Sequence, residues 1–120
     1  VIMHRYLTKS FTFEAAHSLS NTKETRNNNL HGHSFHVEFT LKGNINENGM
    51  IIDLTELNNL VIKLKKQLDH SYLNDISDIG VPTLENLGNY IWKLIKKENF
   101  KVYRIQVSRK TCNESYILEL

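Results

Sequence analysis

Three histidines are the residues of this 120-residue chain whose spacing most directly suggests chemistry. His31 and His33 are separated only by Gly32. Residues two apart on an extended chain project to the same side, so both imidazoles can face one ion. Gly32 also lets the backbone come close, and His17 continues the apolar phase of the segment before it. A neutral imidazole is a good ligand for zinc, and a catalytic zinc takes three protein ligands while keeping a fourth position open. Spacing alone leaves a second reading open, in which these are satisfied histidines of a packed core. That plainer reading is preferred for His4 and His36, the latter lying on the polar phase.

Two strand-like segments must position the three. Phe11, Phe13 and Ala15 alternate with Ser10, Thr12 and Glu14; Phe35, Val37, Phe39 and Leu41 alternate with Ser34, His36, Glu38, Thr40 and Lys42. A period of two marks half-buried strands. The polar run 18–29 links them, and residues 43–49, rich in Asn and Gly, read as a turn. Asp53, with Glu56 three positions on, resembles a capping box opening a helix whose apolar stripe is Leu54, Leu57, Val61, Leu64 and Leu68. A second helix is expected after Pro82 and Thr83, with Leu84, Leu87, Ile91, Leu94 and Ile95 inward. Tyr103, Ile105 and Val107 form a third strand, and residues 116–120 a fourth. The chain therefore reads as one α+β domain over 1–120: a four-stranded antiparallel sheet with two helices on one face. Joining open edges into an oligomeric barrel is one way to satisfy them.

Composition narrows the function classes. Fifteen basic and thirteen acidic residues give a formal net charge of +2, too mild for a nucleic-acid or membrane partner. Lys63, Lys65, Lys66, Lys96 and Lys97 read as solvated helix faces. The single Cys112 cannot form an intramolecular bridge, so a reducing, cytoplasmic setting is expected. No apolar run approaches the roughly 18 residues of a membrane span, and no signal pattern opens the chain.

Five segments carry a family resemblance: Phe13-Glu14-Ala15-Ala16-His17, Leu30-His31-Gly32-His33-Ser34-Phe35, Gly49-Met50-Ile51-Ile52-Asp53, Leu68-Asp69-His70-Ser71-Tyr72-Leu73-Asn74 and Pro82-Thr83-Leu84-Glu85-Asn86. In order and separation they resemble the 6-pyruvoyl/6-carboxytetrahydropterin synthases. That resemblance implies a tunnelling fold, barrels assembled from several chains, commonly hexamers, and active sites at subunit boundaries. It implies a zinc-dependent lyase on 7,8-dihydroneopterin triphosphate, with His17, His31 and His33 on Zn2+. In the 6-carboxy branch, which feeds deazapurine and hence queuosine biosynthesis, the side chain is also cleaved. Asp69 and His70 match the family's proton-transfer pair, an imidazole supported by a carboxylate. Without the resemblance, the same two residues read as a helix end. Thr83 and Glu85 match pterin-pocket residues, and both also suit a helix N-terminal turn.

Two departures stand against the family pattern. The position of the usual catalytic cysteine, four before His31, is Asn27, and an amide has no useful basicity. Glu24 lies in the same loop at a different spacing. The glutamate that accepts hydrogen bonds from the pterin is matched by Lys110, before Thr111, and lysine only donates. Glu114 is the nearby carboxylate that a rearranged turn would bring in. The chain is accordingly expected to be a lyase on this pterin or a close analogue, or else a non-catalytic or substrate-shifted zinc-binding paralogue.

Overall fold

The computed structural model describes residues 1–20 and 23–120; of the polar run 18–29, Asn21 and Thr22 lie outside the described residues. Strand β1 spans Tyr6–His17 and pairs antiparallel with β2, His31–Lys42, from Tyr6 opposite Lys42 to His17 opposite His31. Their alternation is the expected one: Phe11, Phe13, Ala15 and His17 are buried on the face that also buries Phe35, Val37, Phe39 and Leu41. Strand β4, Val102–Arg109, continues the sheet beside β2, and β5, Glu114–Glu119, closes it.

The sheet has five strands, not the four antiparallel ones expected. The additional strand β3 is Ser71–Tyr72, and it runs parallel to β1 at Ala15 and Ala16, giving a mixed sheet in the order β3-β1-β2-β4-β5. Two residues cannot show a period of two, so β3 has no signature in hydrophobic patterning. It covers only the end of β1, leaving the remainder of that edge and the outer edge of β5 without a strand partner among the described residues.

Helix α1, Leu54–Leu68, begins at Asp53, whose carboxylate accepts the Thr55 N–H at 2.7 Å. It buries Leu57, Leu60, Leu64 and Leu68, whereas Leu54 is exposed and Val61 packs at the margin. Seven apolar residues cover more than one face of this helix, and spacings of three and four fit either row; packing against the sheet selects the row through Leu60. Helix α2, Leu84–Lys97, is capped by Thr83, whose Oγ1 accepts the Asn86 N–H at 3.1 Å. It buries Leu84, Leu87, Tyr90, Ile91 and Ile95 in the same core, with Leu94 at its edge. No helix among the described residues is long and apolar enough to cross a membrane.

Gly88 is where α2 meets the last strand. A methyl group there would lie 2.7 Å from two ring carbons of Tyr116, and the Tyr116 hydroxyl donates to Asn89 at 3.0 Å, which restrains the ring. Alanine would gain about 1 kcal/mol in helix propensity, but overpacking a rigid contact costs about 1–3 kcal/mol. Gly88→Ala is therefore expected to destabilise the chain by about 1 kcal/mol in urea denaturation, and to stabilise it once Tyr116→Ala has opened the space. A stabilising Gly88→Ala in the unmodified background would contradict this packing.

Candidate metal centre

The β1–β2 register builds the histidine cluster from two neighbouring strands. His17 sits directly opposite His31, and His33 lies opposite Ala15, so all three rings leave the sheet on its core side. Their ring centroids are 4.6 to 4.9 Å apart, and their potential ligand nitrogens lie within 4.8 Å of one another. Phe35 packs edge-on against His17 and His33, with centroids 5.7 Å away, and itself stacks on Phe13.

Hydrogen bonds determine which nitrogens face the cluster's centre. His17 Nδ1 is 2.9 Å from the Pro82 carbonyl oxygen, and His31 Nδ1 is 2.8 Å from that of Asn29. A carbonyl can only accept, so each Nδ1 carries the proton and each Nε2 keeps a lone pair. His17 is 1% exposed, and its Nε2 finds no partner among the described residues. A buried acceptor without a partner is costly. A metal ion held by His17, His31 and His33 would satisfy it. Three imidazoles are a donor set that fits a divalent metal such as zinc.

The electrostatics favour neutral imidazoles, the form that binds metal. Burial lowers the pKa of His17, opposed by the Pro82 hydrogen bond and helped by the charges of His31 and Arg109. Burial likewise lowers His33 to about 4, with further contributions from His17, Arg109 and His31.

Arg109, which the sequence reading passed over, ends β4 beside the cluster. Its Nη1 lies 3.5 Å from His33 Nε2, its Nη2 donates to the Glu114 carboxylate, and its buried Nε has no partner among the described residues. Arg109 and Glu114 are cross-strand partners, so the pairing follows from register. Lys110, by contrast, is exposed on the turn Lys110–Cys112.

Asp69 and His70 lie between α1 and β3, against Glu14 of β1. Asp69 caps the end of α1 and accepts the Glu14 N–H at 2.9 Å; the His70 N–H donates to the Glu14 carbonyl at 2.7 Å. The Asp69 pKa is lowered, first by the Glu14 hydrogen bond and then by His70 and Lys65. His70 Nε2 is 3.6 Å from Asp69, its backbone has φ 58, and its side chain is 82% exposed. With Glu14, Gly32, His33, Ser34 and Ser71 it lines an open depression of about 450 Å3, to which His17 and His31 contribute nothing. Of the triad, His33 shares this depression with His70. Thr83 follows the Pro82 carbonyl that fixes His17, whereas Glu85 is exposed in the first turn of α2.

Glu24 and Asn27 belong to a short turn. The Glu24 carboxylate accepts from the Arg26 N–H and pairs with its guanidinium, which lowers its pKa. Asn27 anchors the turn through its carbonyl, which accepts the Leu19 N–H at 2.6 Å.

Residues 6–119 match the profile of the family described as 6-pyruvoyl tetrahydropterin synthase. A Synechocystis protein named 6-carboxy-5,6,7,8-tetrahydropterin synthase is 37% identical over 95 residues, covering 74% of this chain and 73% of its own. A Pyrococcus furiosus protein named dihydroneopterin monophosphate aldolase is 37% identical over 86 residues, covering 72% and 70%. Among solved structures, the Caenorhabditis elegans 6-pyruvoyl tetrahydropterin synthase superposes with a TM-score of 0.82 at 21% identity, covering 99% of this chain and 97% of that one.

A His33 pKa held below the ordinary 6.5 makes the folded chain take up this proton later than the unfolded chain. The stability contributed by neutral His33 is full above about 6.5 and is lost as pH falls through about 4. In the presence of a chelator, the melting temperature is expected to drop between pH 7 and pH 4, and His33→Asn to flatten that slope. An unchanged slope in the variant would remove His33 as its source.

Proposed function

We propose, for a chain that belongs to the 6-pyruvoyl tetrahydropterin synthase family, a zinc-dependent carbon-oxygen lyase acting on 7,8-dihydroneopterin triphosphate or a related reduced pterin. The observation that carries the reading is the buried, unpartnered Nε2 of His17 beside two further imidazoles. His17, His31 and His33 hold the ion, with the carbonyls of Pro82 and Asn29 fixing two of the rings. Zinc, when bound, supplies Lewis-acid polarisation of the substrate's side-chain oxygens.

The remaining roles fall to the chain's own groups. His70 exchanges protons with the substrate, and Asp69 orients its imidazole. Thr83 and Glu85 contact the pterin. As the family resemblance implies sites at subunit boundaries, we propose that each site is completed by a neighbouring copy. We accordingly propose a cytoplasmic homo-oligomer, a hexamer closed through the unpaired sheet edges.

A second reading is favoured by Asn27, which has no basicity to offer where the family's thiol stands, and by the aldolase name of the Pyrococcus relative. In that reading the metal site is retained and the substrate has shifted, or turnover has been lost. Glu24 is the carboxylate to test as the replacement base, and Glu114 the one to test as the pterin acceptor.

Metal-analysed protein incubated with dihydroneopterin triphosphate, followed by mass spectrometry, is expected to show one zinc per chain, triphosphate release and a pterin product. One zinc without conversion would defeat the lyase reading and leave the shifted one, which Asn27→Cys addresses by restoring the usual thiol. Sites shared between copies make a further demand. His31→Ala and His70→Ala chains, each inactive alone, are expected to regain part of the activity after being unfolded and refolded together. No recovery in mixed oligomers would argue against shared sites.

A further inference from the structure

We propose that Arg109 is an anion clamp beside the metal centre, binding jointly with the metal a small oxyanion, a carboxylate or phosphoryl group, as the ligand's point of attachment. This rests on the metal reading above. Arg109 is permanently charged, and its side chain is only 17% exposed. Glu114 engages one donor, Nη2. The Nη1 donor is turned toward His33 Nε2, the lone pair that a metal would also use, and Nε–H has no partner among the described residues.

An arginine kept solely for the β4–β5 pairing would direct its remaining donors to solvent or backbone. Here Nη1 is kept beside His33, a candidate metal ligand, and Nε–H is buried. A guanidinium next to a divalent ion is repelled by it, and burial from water sharpens that repulsion. An anion bridging the two cations removes the conflict, and it accepts from Nη1, the donor on the side of the guanidinium that Glu114 leaves free. Arg109 thereby selects for ligands that carry negative charge close to the metal-bound atom.

Cobalt(II) makes the site visible through its absorption bands without any appeal to turnover. Cobalt content is measured first, and the bands are then titrated with inorganic phosphate and, separately, with imidazole, a neutral ligand that needs no arginine. Phosphate is expected to shift the bands of the unmodified protein. Arg109→Met is expected to weaken phosphate by about tenfold or more while leaving imidazole within about twofold. Glu114→Gln, which frees the guanidinium from its carboxylate, is expected to tighten phosphate. Cobalt-loaded Arg109→Met that takes phosphate as well as the unmodified protein would overturn the clamp. If that variant does not fold, unchanged phosphate affinity in Glu114→Gln would overturn it instead. Failure of the unmodified protein to bind cobalt would defeat the metal reading itself, and the clamp with it.

Discussion

The antiparallel register of β1 and β2 is the constraint on which the candidate centre depends. His17 opposes His31, and His33 follows on the same face two residues later. A slip of one residue would send the members of one strand to the opposite side of the sheet and leave no cluster. What holds the register is the apolar half of the same strands: Phe11, Phe13 and Ala15 against Phe35, Val37 and Phe39 fit the core only in this phase. The residues with chemical potential therefore inherit their alignment from residues with none. Phe35 joins the two roles, since its ring packs against His17 and His33 as well as in the core.

Given that alignment, two carbonyls turn three nearby rings into a directed donor set. By accepting from His17 and His31, Pro82 and Asn29 fix tautomers that leave Nε2 lone pairs on the inner side. Neither carbonyl belongs to the histidine strands. The Pro82 carbonyl precedes α2, and that of Asn29 ends the short turn Thr25–Asn28, so the centre joins three otherwise separate parts of the chain. Burial suppresses protonation at His17 and His33, which keeps lone pairs on those two rings available near neutrality.

The parts legible in the sequence were those with a period. The strands bearing the triad, the capped starts of both helices and the shared phase of the histidines followed from alternation and spacing in the residues themselves. β3 was not legible, since two residues have no period. The row through Leu60 was not separable from the row through Leu54 and Val61, because both satisfy helical spacing. Arg109 was missed for a different reason. It sits at a strand end where patterning assigns no face, and the match of Lys110 to the family's glutamate drew attention one residue along. What would have found it is the antiparallel pairing of Arg109 with Glu114, which becomes visible only once the turn between β4 and β5 is placed. The placement of Asp69 and His70 against Glu14, in a depression that His33 also lines, was hidden too, since motif order along a chain says nothing about which face or edge each motif occupies.

The link from His17 through Pro82 to Thr83 couples the histidine to helix α2 over a very short path. The carbonyl that fixes the imidazole and the side chain that caps the helix belong to adjacent residues. A pull on the ring is then a pull on the first turn of α2, whose Asn86 N–H depends on that cap. Hydrogen exchange at this single amide acts as a mechanical gauge of the buried ring, letting a spectroscopically silent occupant announce itself at the start of a helix.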